Sequence, residues 1–354
     1  MSVRKTLKQL TPRLAACWIH DWFYSFEPFV PVFMIHRLTD VENHIFDHSL
    51  LEMTRQFEWL RKSGWIFLSL SELEKRSREC TPVPARTAVF TVDDGYLDQY
   101  EMAEWLFDRF DCPVTYYVAT DFVDGSIWLW DAKVHYAVHN TNSATLSYSP
   151  YGKRDAPEAC FKLSDVASRN IAVEGMLETL KNHPSNDIYA EVSRIFEIAE
   201  VDEPSVTPPQ YRAMTWAQAN SLIARGHTIA PHTRSHRILS KLDDISAAAE
   251  IEGSWRITRE RISRQPANFA FPNGRRQDFC PRDVAALERL GCSLAVTTIP
   301  GHAILSEMRK PGCSLVPRFS LPNDYFSFCQ YASWIERAND LARQQTRSPR
   351  QRST

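Results

Sequence analysis

Short apolar runs alternate along the chain with longer amphipathic stretches. The runs cover 31–36 (PVFMIH), 87–92 (TAVFTV), 114–120 (VTYYVAT), 227–233 (HTIAPHT), 268–272 (NFAFP), 293–298 (SLAVTT) and 315–321 (LVPRFSL). Their length and their β-branched and aromatic content predict strands. The stretches between them read as helices. In HSLLEMTRQFEWLRKSG, Leu50, Met53, Phe57 and Leu60 fall at helical spacing, and Gly64 ends the segment. QYEMAEWLFDRF, TWAQANSLIARG, DISAAAEIEGSWRITRERI and PRDVAALERLG repeat the theme, with Thr, Asp or Ser near several starts and Gly226 and Gly291 closing two of them. Such alternation predicts a parallel sheet with crossover helices, and about seven units favour a barrel over an open sheet.

Residues 131–210 break the rhythm. They are polar, hold the turns SPYG and TPP, and carry helical stretches around 164–182 and 188–199. This segment reads as an insertion able to cover one end of the barrel. Residues 1–30 hold Arg4, Lys5, Lys8 and Arg13 with no acid before Asp21, and then the aromatic run WFYSFEPFV. They read as a helix packed on the domain or as a surface for a membrane or a partner. Residues 336–354 end in LARQQTRSPRQRST, with four Arg and no acid, and read as a disordered basic tail. The main domain is therefore expected over 31–335.

Composition narrows the class. With 354 residues, of which 44% are hydrophobic and 12% aromatic, the chain is long enough and apolar enough for a full core. A net charge of −2 argues against nucleic acid as a partner. Mean hydropathy is −0.36, and no apolar run has the length of a membrane span. The start of the chain lacks the apolar core of a signal peptide, and LAAC at 14–17 follows residues too polar for a lipoprotein signal. Eight scattered Cys with no CxxC pair suggest free thiols. Together these features place the expected site of action in the cytoplasm, with the inner membrane face as a resting place for residues 1–30.

Three short segments carry candidate chemistry. TVDDGYLD at 91–98 puts Asp93 and Asp94 at the carboxyl end of a strand, the face on which barrel enzymes build their sites. Two adjacent acids do not both ionise freely; one that binds a cation leaves the other to act as a base. APHTRSHRILS spaces His232 and His236 at i, i+4, which one helical turn would present on a single face. FAFPNG at 269–274 is a strand running into a Pro-Asn-Gly turn. Asp94, His232 and His236 together form a three-ligand set that leaves metal positions open for water and substrate. Two His and one carboxylate suit Zn²⁺, and also Co²⁺, Ni²⁺ or Fe²⁺.

These segments resemble a known family. TVDDGY is similar to the TFDDG motif of polysaccharide deacetylases (the NodB-homology domain, carbohydrate esterase family four), and HTRSH to their H-[ST]-x-x-H motif. FAFPNG resembles the third motif without its leading Arg, and PVFMIHRL, GWIFLSLSEL and VPRFSL resemble an exopolysaccharide-associated branch. The resemblance spans about 31–335 outside the insertion. It implies a distorted (β/α)7 barrel, hydrolysis of N-acetyl groups on GlcNAc-type glycans, Asp93 as catalytic base, and Asp94, His232 and His236 as metal ligands. It also implies a backbone N–H near Asn273 for the oxyanion.

The departures from the pattern have consequences. The Arg that orients the base is missing from the third motif, and Arg318 is the candidate to replace it or to bind substrate. Asn273 stands where an aromatic is usual. The late Leu-x-His motif is absent, so His36, at the end of the first strand, is the expected general acid, with an imidazole pKa near 6.5. Trp128 and Trp130 are candidates to stack on sugar rings, or else core. The other functional readings are a catalytically inactive glycan- or partner-binding relative and an O-deacetylase.

Overall fold

The protein is described by a computed structural model over residues 3–150, 159–183, 187–264 and 268–346. Every expected strand forms, and each lies in a parallel ladder. β1 (Val32–Ile35), β2 (Thr87–Asp94), β3 (Val114–Val118) and β4 (Thr228–Pro231) lie side by side in that order. β5 (Asn268–Ala270), β6 (Leu294–Val296) and β7 (Ser314–Val316) form a second parallel sheet, with β6 in the middle. β8 (Phe319–Ser320) returns to the first sheet and pairs with the other edge of β1.

The run LVPRFSL is thus two strands rather than one. Pro317 has no N–H for a ladder and breaks the run, so β7 and β8 join different sheets with Arg318 between them. Among the described residues no ladder joins β4 to β5. The hydrogen bonding among the described residues therefore gives two parallel arcs flanked by helices, consistent with the expected barrel type without a ladder that closes it.

Strands buried on both faces explain why the runs read as nearly continuous hydrophobics. Phe33, Phe90, Tyr116 and Phe319 pack under the surrounding helices with Phe57 and Leu60. The alternate residues Val32, Val89, Tyr117, Ala230, Ala270, Val296 and Val316, drawn from both arcs, share another cluster. Because the ladders of both arcs are parallel, the carboxyl ends of the strands within each arc face one way.

At the amino end, α1 (Val3–Ala15) and α2 (Ile19–Phe26) lie against the domain. His20 is buried between Phe29 and Trp65. The insertion is built from α3 (Trp130–Asn140), an antiparallel hairpin of Thr145–Tyr148 with Ala159–Lys162, α4 (Val166–Asn182) and α5 (Ile188–Ala199). α3 and the hairpin were not expected from the pattern, whereas α4 and α5 were. Val134, Tyr148, Met176 and Ile195 give this unit a core of its own. The part of the SPYG turn at 151–152 lies outside the described residues.

The expected tail is corrected over its first part. α6 (Trp334–Thr346) is a helix where disorder was expected from residue 336. Glu336 is buried and accepts from Gln330 at 2.5 Å and Asn339 at 3.1 Å, and Arg337 pairs with Glu27. Those acids, upstream of the basic stretch, tie the helix down. Residues 347–354 lie outside the described set. No described helix is long and apolar enough to cross a membrane.

Candidate active site

β2 ends in the two acids. After them the chain turns with Asp94 at φ 92° and Gly95 at φ 98°. A Cβ on Gly95 would sit 3.0 Å from Val123 and 3.2 Å from Val118, so the turn needs glycine both for its dihedral and for its room. The buried Gln99 organises this corner. Its carbonyl accepts from Gly95 N at 2.9 Å and Tyr96 N at 3.1 Å, and its amide donates to the carbonyls of His36, at 2.6 Å, and Asp93. One side chain therefore ties the end of β1 to the end of β2. Nothing in the pattern marked Gln99, because the contact to β1 exists only once the sheet has formed.

Asp93 and Asp94 part company here. Asp93 meets Arg318, which is 0% exposed. Arg318 donates from Nη1 to Asp93 Oδ1 and from Nη2 to Oδ2, each at 2.7 Å. It also donates to Thr91 Oγ1 at 2.9 Å and the Thr297 carbonyl at 3.0 Å. Burial by itself would raise the Asp93 pKa; the guanidinium overrides it and holds the carboxylate at about 2. Arg318 is thus spent on the acid and does not line the pocket, which corrects its expected contact with substrate. Arg318 reaches the acid from the segment between β7 and β8, not from FAFPNG.

Asp94 has no such partner. Its Oδ1 is buried without a hydrogen bond, 3.6 Å from His232 Nε2 and 3.4 Å from His236 Nε2. Burial raises its pKa well above the carboxylate range, and Asp131 and Asp93 push the same way. An anion here needs a cation beside it. One ligand atom from each of Asp94, His232 and His236 lies within 4.8 Å of the others. Burial lowers the pKa of His232 to about 4 and that of His236 to about 3, so both rings are neutral at pH 7 with lone pairs to give. His232 Nδ1 lies 2.8 Å from the Ala270 carbonyl, which leaves Nε2 as the ligating nitrogen. The donor set fits a divalent metal.

The route to that set differs from the expected one. HTRSH is not helical: Thr233 (φ 62°) and His236 (φ 57°) are left-handed, and the segment turns on itself. Its shape is held by Glu250, which accepts from Arg234 N and Ser235 N at 2.8 Å each, and by Thr233 Oγ1, which accepts from His236 N at 3.1 Å. The rings still come to 4.9 Å. Of the eight described non-glycine residues with positive φ, Asp94, Thr233, His236 and Asn273 are all at this site, where backbone strain tends to gather.

The pocket above the set is a cavity of about 310 Å³ lined by His36, Asp93, Asp94, Trp130, His232, His236 and Asn273. Asn273 Nδ2 is buried there with no partner, a donor left for a ligand oxygen. His36 faces the pocket, but burial lowers its pKa despite Asp93 and Asp47. It is neutral at pH 7, against the expected value near 6.5.

Trp130 is 0% exposed, and its Nε1 donates to the His236 carbonyl at 3.0 Å. It braces the loop that carries His236 and forms part of the cavity wall, but it exposes no ring surface, which argues against the expected stacking role. Trp128 is core, against Tyr136 and Tyr211. His227 binds Asp108 at the far end of the sheet, and His302, though in a loop, is fixed by the Tyr331 carbonyl away from the pocket. Asp131, Glu178, Lys181, Arg275 and Thr298 also line the cavity. They were missed, since Glu178 and Lys181 reach it only because α4 docks over the strand ends.

Comparison with known proteins finds the same fold. Streptococcus pyogenes deacetylase PplD, solved in complex with acetate, superposes with a TM-score of 0.55 at 15% identity, covering 87% of this chain and 99% of that one. IcaB from Ammonifex degensii gives 0.51 at 14%, covering 86% and 97%. At these identities the likeness is one of fold. A stretch of 72 residues is 29% identical to the poly-beta-1,6-N-acetyl-D-glucosamine N-deacetylase of Escherichia coli (strain K12), 20% of this chain but only 11% of that protein. A family model described as polysaccharide deacetylase matches residues 81–293, from six residues before β2, through TVDDGY and HTRSH, to the residue before β6, and the chain belongs to that family of carbohydrate deacetylases.

Proposed function

We propose that this protein removes N-acetyl groups from a GlcNAc-type polysaccharide or glycan precursor in the assembly of an exopolysaccharide or cell-surface glycan, using one divalent metal, best matched by Zn²⁺. The observation that carries the reading is the pairing of two adjacent carboxylates with opposite environments: Asp93 charged and clamped by Arg318, Asp94 facing two neutral histidines. Asp94, His232 and His236 would hold such an ion, and the chemistry it would supply is Lewis-acid polarisation of the acetyl carbonyl and acidification of water. The name of the Escherichia coli relative supports the acetylated glucosamine. The cluster of alternate residues shared by both arcs supports a distorted barrel, and the eight free thiols support a reducing, cytoplasmic setting.

The chain's own groups divide the work. Asp93 keeps its charge at any working pH and takes the proton of the attacking water. Arg318 fixes both carboxylate oxygens, so the base is oriented before substrate arrives. Asn273 Nδ2 donates to the developing oxyanion. His36, neutral at rest, takes up the proton that Asp93 removed from the water and passes it to the leaving amine, which returns both groups to their starting states. Metal analysis of the purified protein, with acetate release from N-acetylglucosamine oligomers and from O-acetylated glycans, tests the proposal. Release from the first and its loss on chelation are expected. Release only from the O-acetylated glycans makes it an O-deacetylase, and no release from either with metal present makes it a binding relative.

A further inference from the structure

A row of large apolar side chains lies on the outside of the amino-terminal helices. Leu10 and Leu14 are each 42% exposed, Trp18 and Phe26 71%, and Trp22 51%. These are five of the fourteen exposed large apolar residues among the described ones. They recur at every fourth position, which on helical backbone holds one face within each helix. Trp22 and Phe26 meet edge to face at 4.7 Å.

The segment is well anchored, so its exposure is not a matter of loose packing. Ala15 and His20 are buried, Trp334 Nε1 donates to the Leu14 carbonyl at 2.9 Å, and His20 bonds the Ala85 carbonyl at 2.9 Å. The row points away from those contacts. The sequence of the segment is one-sided in charge. Residues 1–20 hold Arg4, Lys5, Lys8 and Arg13 and no acid. The first acids that follow, Asp21 and Glu27, are each engaged by an arginine, Arg86 and Arg337.

Indole rings and leucines in a segment whose first twenty residues carry cations and no acid are the composition of a segment that lies in a membrane interface, where the rings sit at headgroup depth and the cations meet anionic lipid. We infer that α1 and α2 are a docking face for an anionic bilayer surface, which holds the domain at the membrane while the pocket stays in water. The inference is independent of the reaction the pocket performs.

The full chain is sedimented with vesicles of phosphatidylcholine alone and of phosphatidylcholine mixed with phosphatidylglycerol. Binding to the mixed vesicles, weakened by salt, is expected. Trp18→Ser/Trp22→Ser/Phe26→Ser removes three exposed rings and should lower binding at least about tenfold with an unchanged melting temperature. Arg13→Glu, which leaves the apolar row intact, should weaken binding to the mixed vesicles by at least about fivefold. No binding to either vesicle overturns the inference, as does a triple variant that binds like the parent. A parent that fails to bind vesicles but is dimeric, with a monomeric triple variant, would make this face a contact between copies of the chain.

Discussion

Replacing Arg318 by methionine tests the claim that the base is made by a partner from the other end of the chain. Methionine fills much of the arginine's volume but donates nothing. The change leaves Asp93 buried among uncharged groups and strips Thr91 Oγ1 and the Thr297 carbonyl of their donor. Losing one member of a buried pair typically costs about 3–5 kcal/mol. The Asp93 pKa, now about 2, is the outcome of burial raising it and Arg318 lowering it. With the arginine gone, burial acts alone and the pKa moves above its ordinary 3.8. A rise of at least about 2 units, each worth about 1.4 kcal/mol, is expected.

Two signs follow. In the parent, a folded pKa below the unfolded one adds stability above pH 3.8 that is lost as pH falls towards 2. In the variant the folded pKa is above the unfolded one, so Asp93 destabilises at neutral pH and this penalty fades on acidification. The gap in melting temperature between parent and variant should therefore narrow from pH 7 to pH 4. In acetate release, the variant should show an acidic limb in kcat/KM within the working range, where the parent is flat. Arg318→Lys keeps the charge but not the fork, and should fall between the two. A methionine variant with the parent's pH profile and the parent's stability would refute the role of Arg318.

Asp93→Asn should lower turnover by about 10²–10⁴ with metal content unchanged, whereas His232→Ala should lose the metal; the reverse pattern, read by elemental analysis, would exchange the roles. His36→Ala should lower kcat by about 10²–10⁴ at full metal content, and a change confined to KM would make His36 a substrate contact instead. His20 provides a pH test away from the site. Its neutral ring bonds the Ala85 carbonyl through Nε2 and accepts from Trp334 N at 3.2 Å, and burial holds its pKa at about 4. Because that is below the unfolded value of 6.5, stability should be full above pH 6.5 and decline towards pH 4, by up to about 3 kcal/mol. A His20→Gln protein should melt with a shallower pH dependence over that window, and an unchanged slope would refute the assignment.

The chain by itself determined the parts that depend on neighbours in sequence. The strands of the two parallel arcs were legible, the last two as a single run, because a strand buried on both faces is a short unbroken apolar run. The helix Leu50–Lys62 was legible from Met53, Phe57 and Leu60, all of which are buried. Asp93 and Asp94 were legible as a pair because a strand end, a glycine and two acids occur together, and His232 and His236 because only four positions separate them. Tertiary structure decided what those residues do. The difference between Asp93 and Asp94 comes from Arg318, more than two hundred positions away and placed by the break at Pro317. The neutrality of His36, the spending of Trp130 on the His236 carbonyl, and the reach of Glu178 and Lys181 into the pocket follow from burial and docking between elements that are distant in sequence. A pKa or a contact of that kind is set by which groups surround a side chain in space, and hydrophobic periodicity records only which side of an element faces inward.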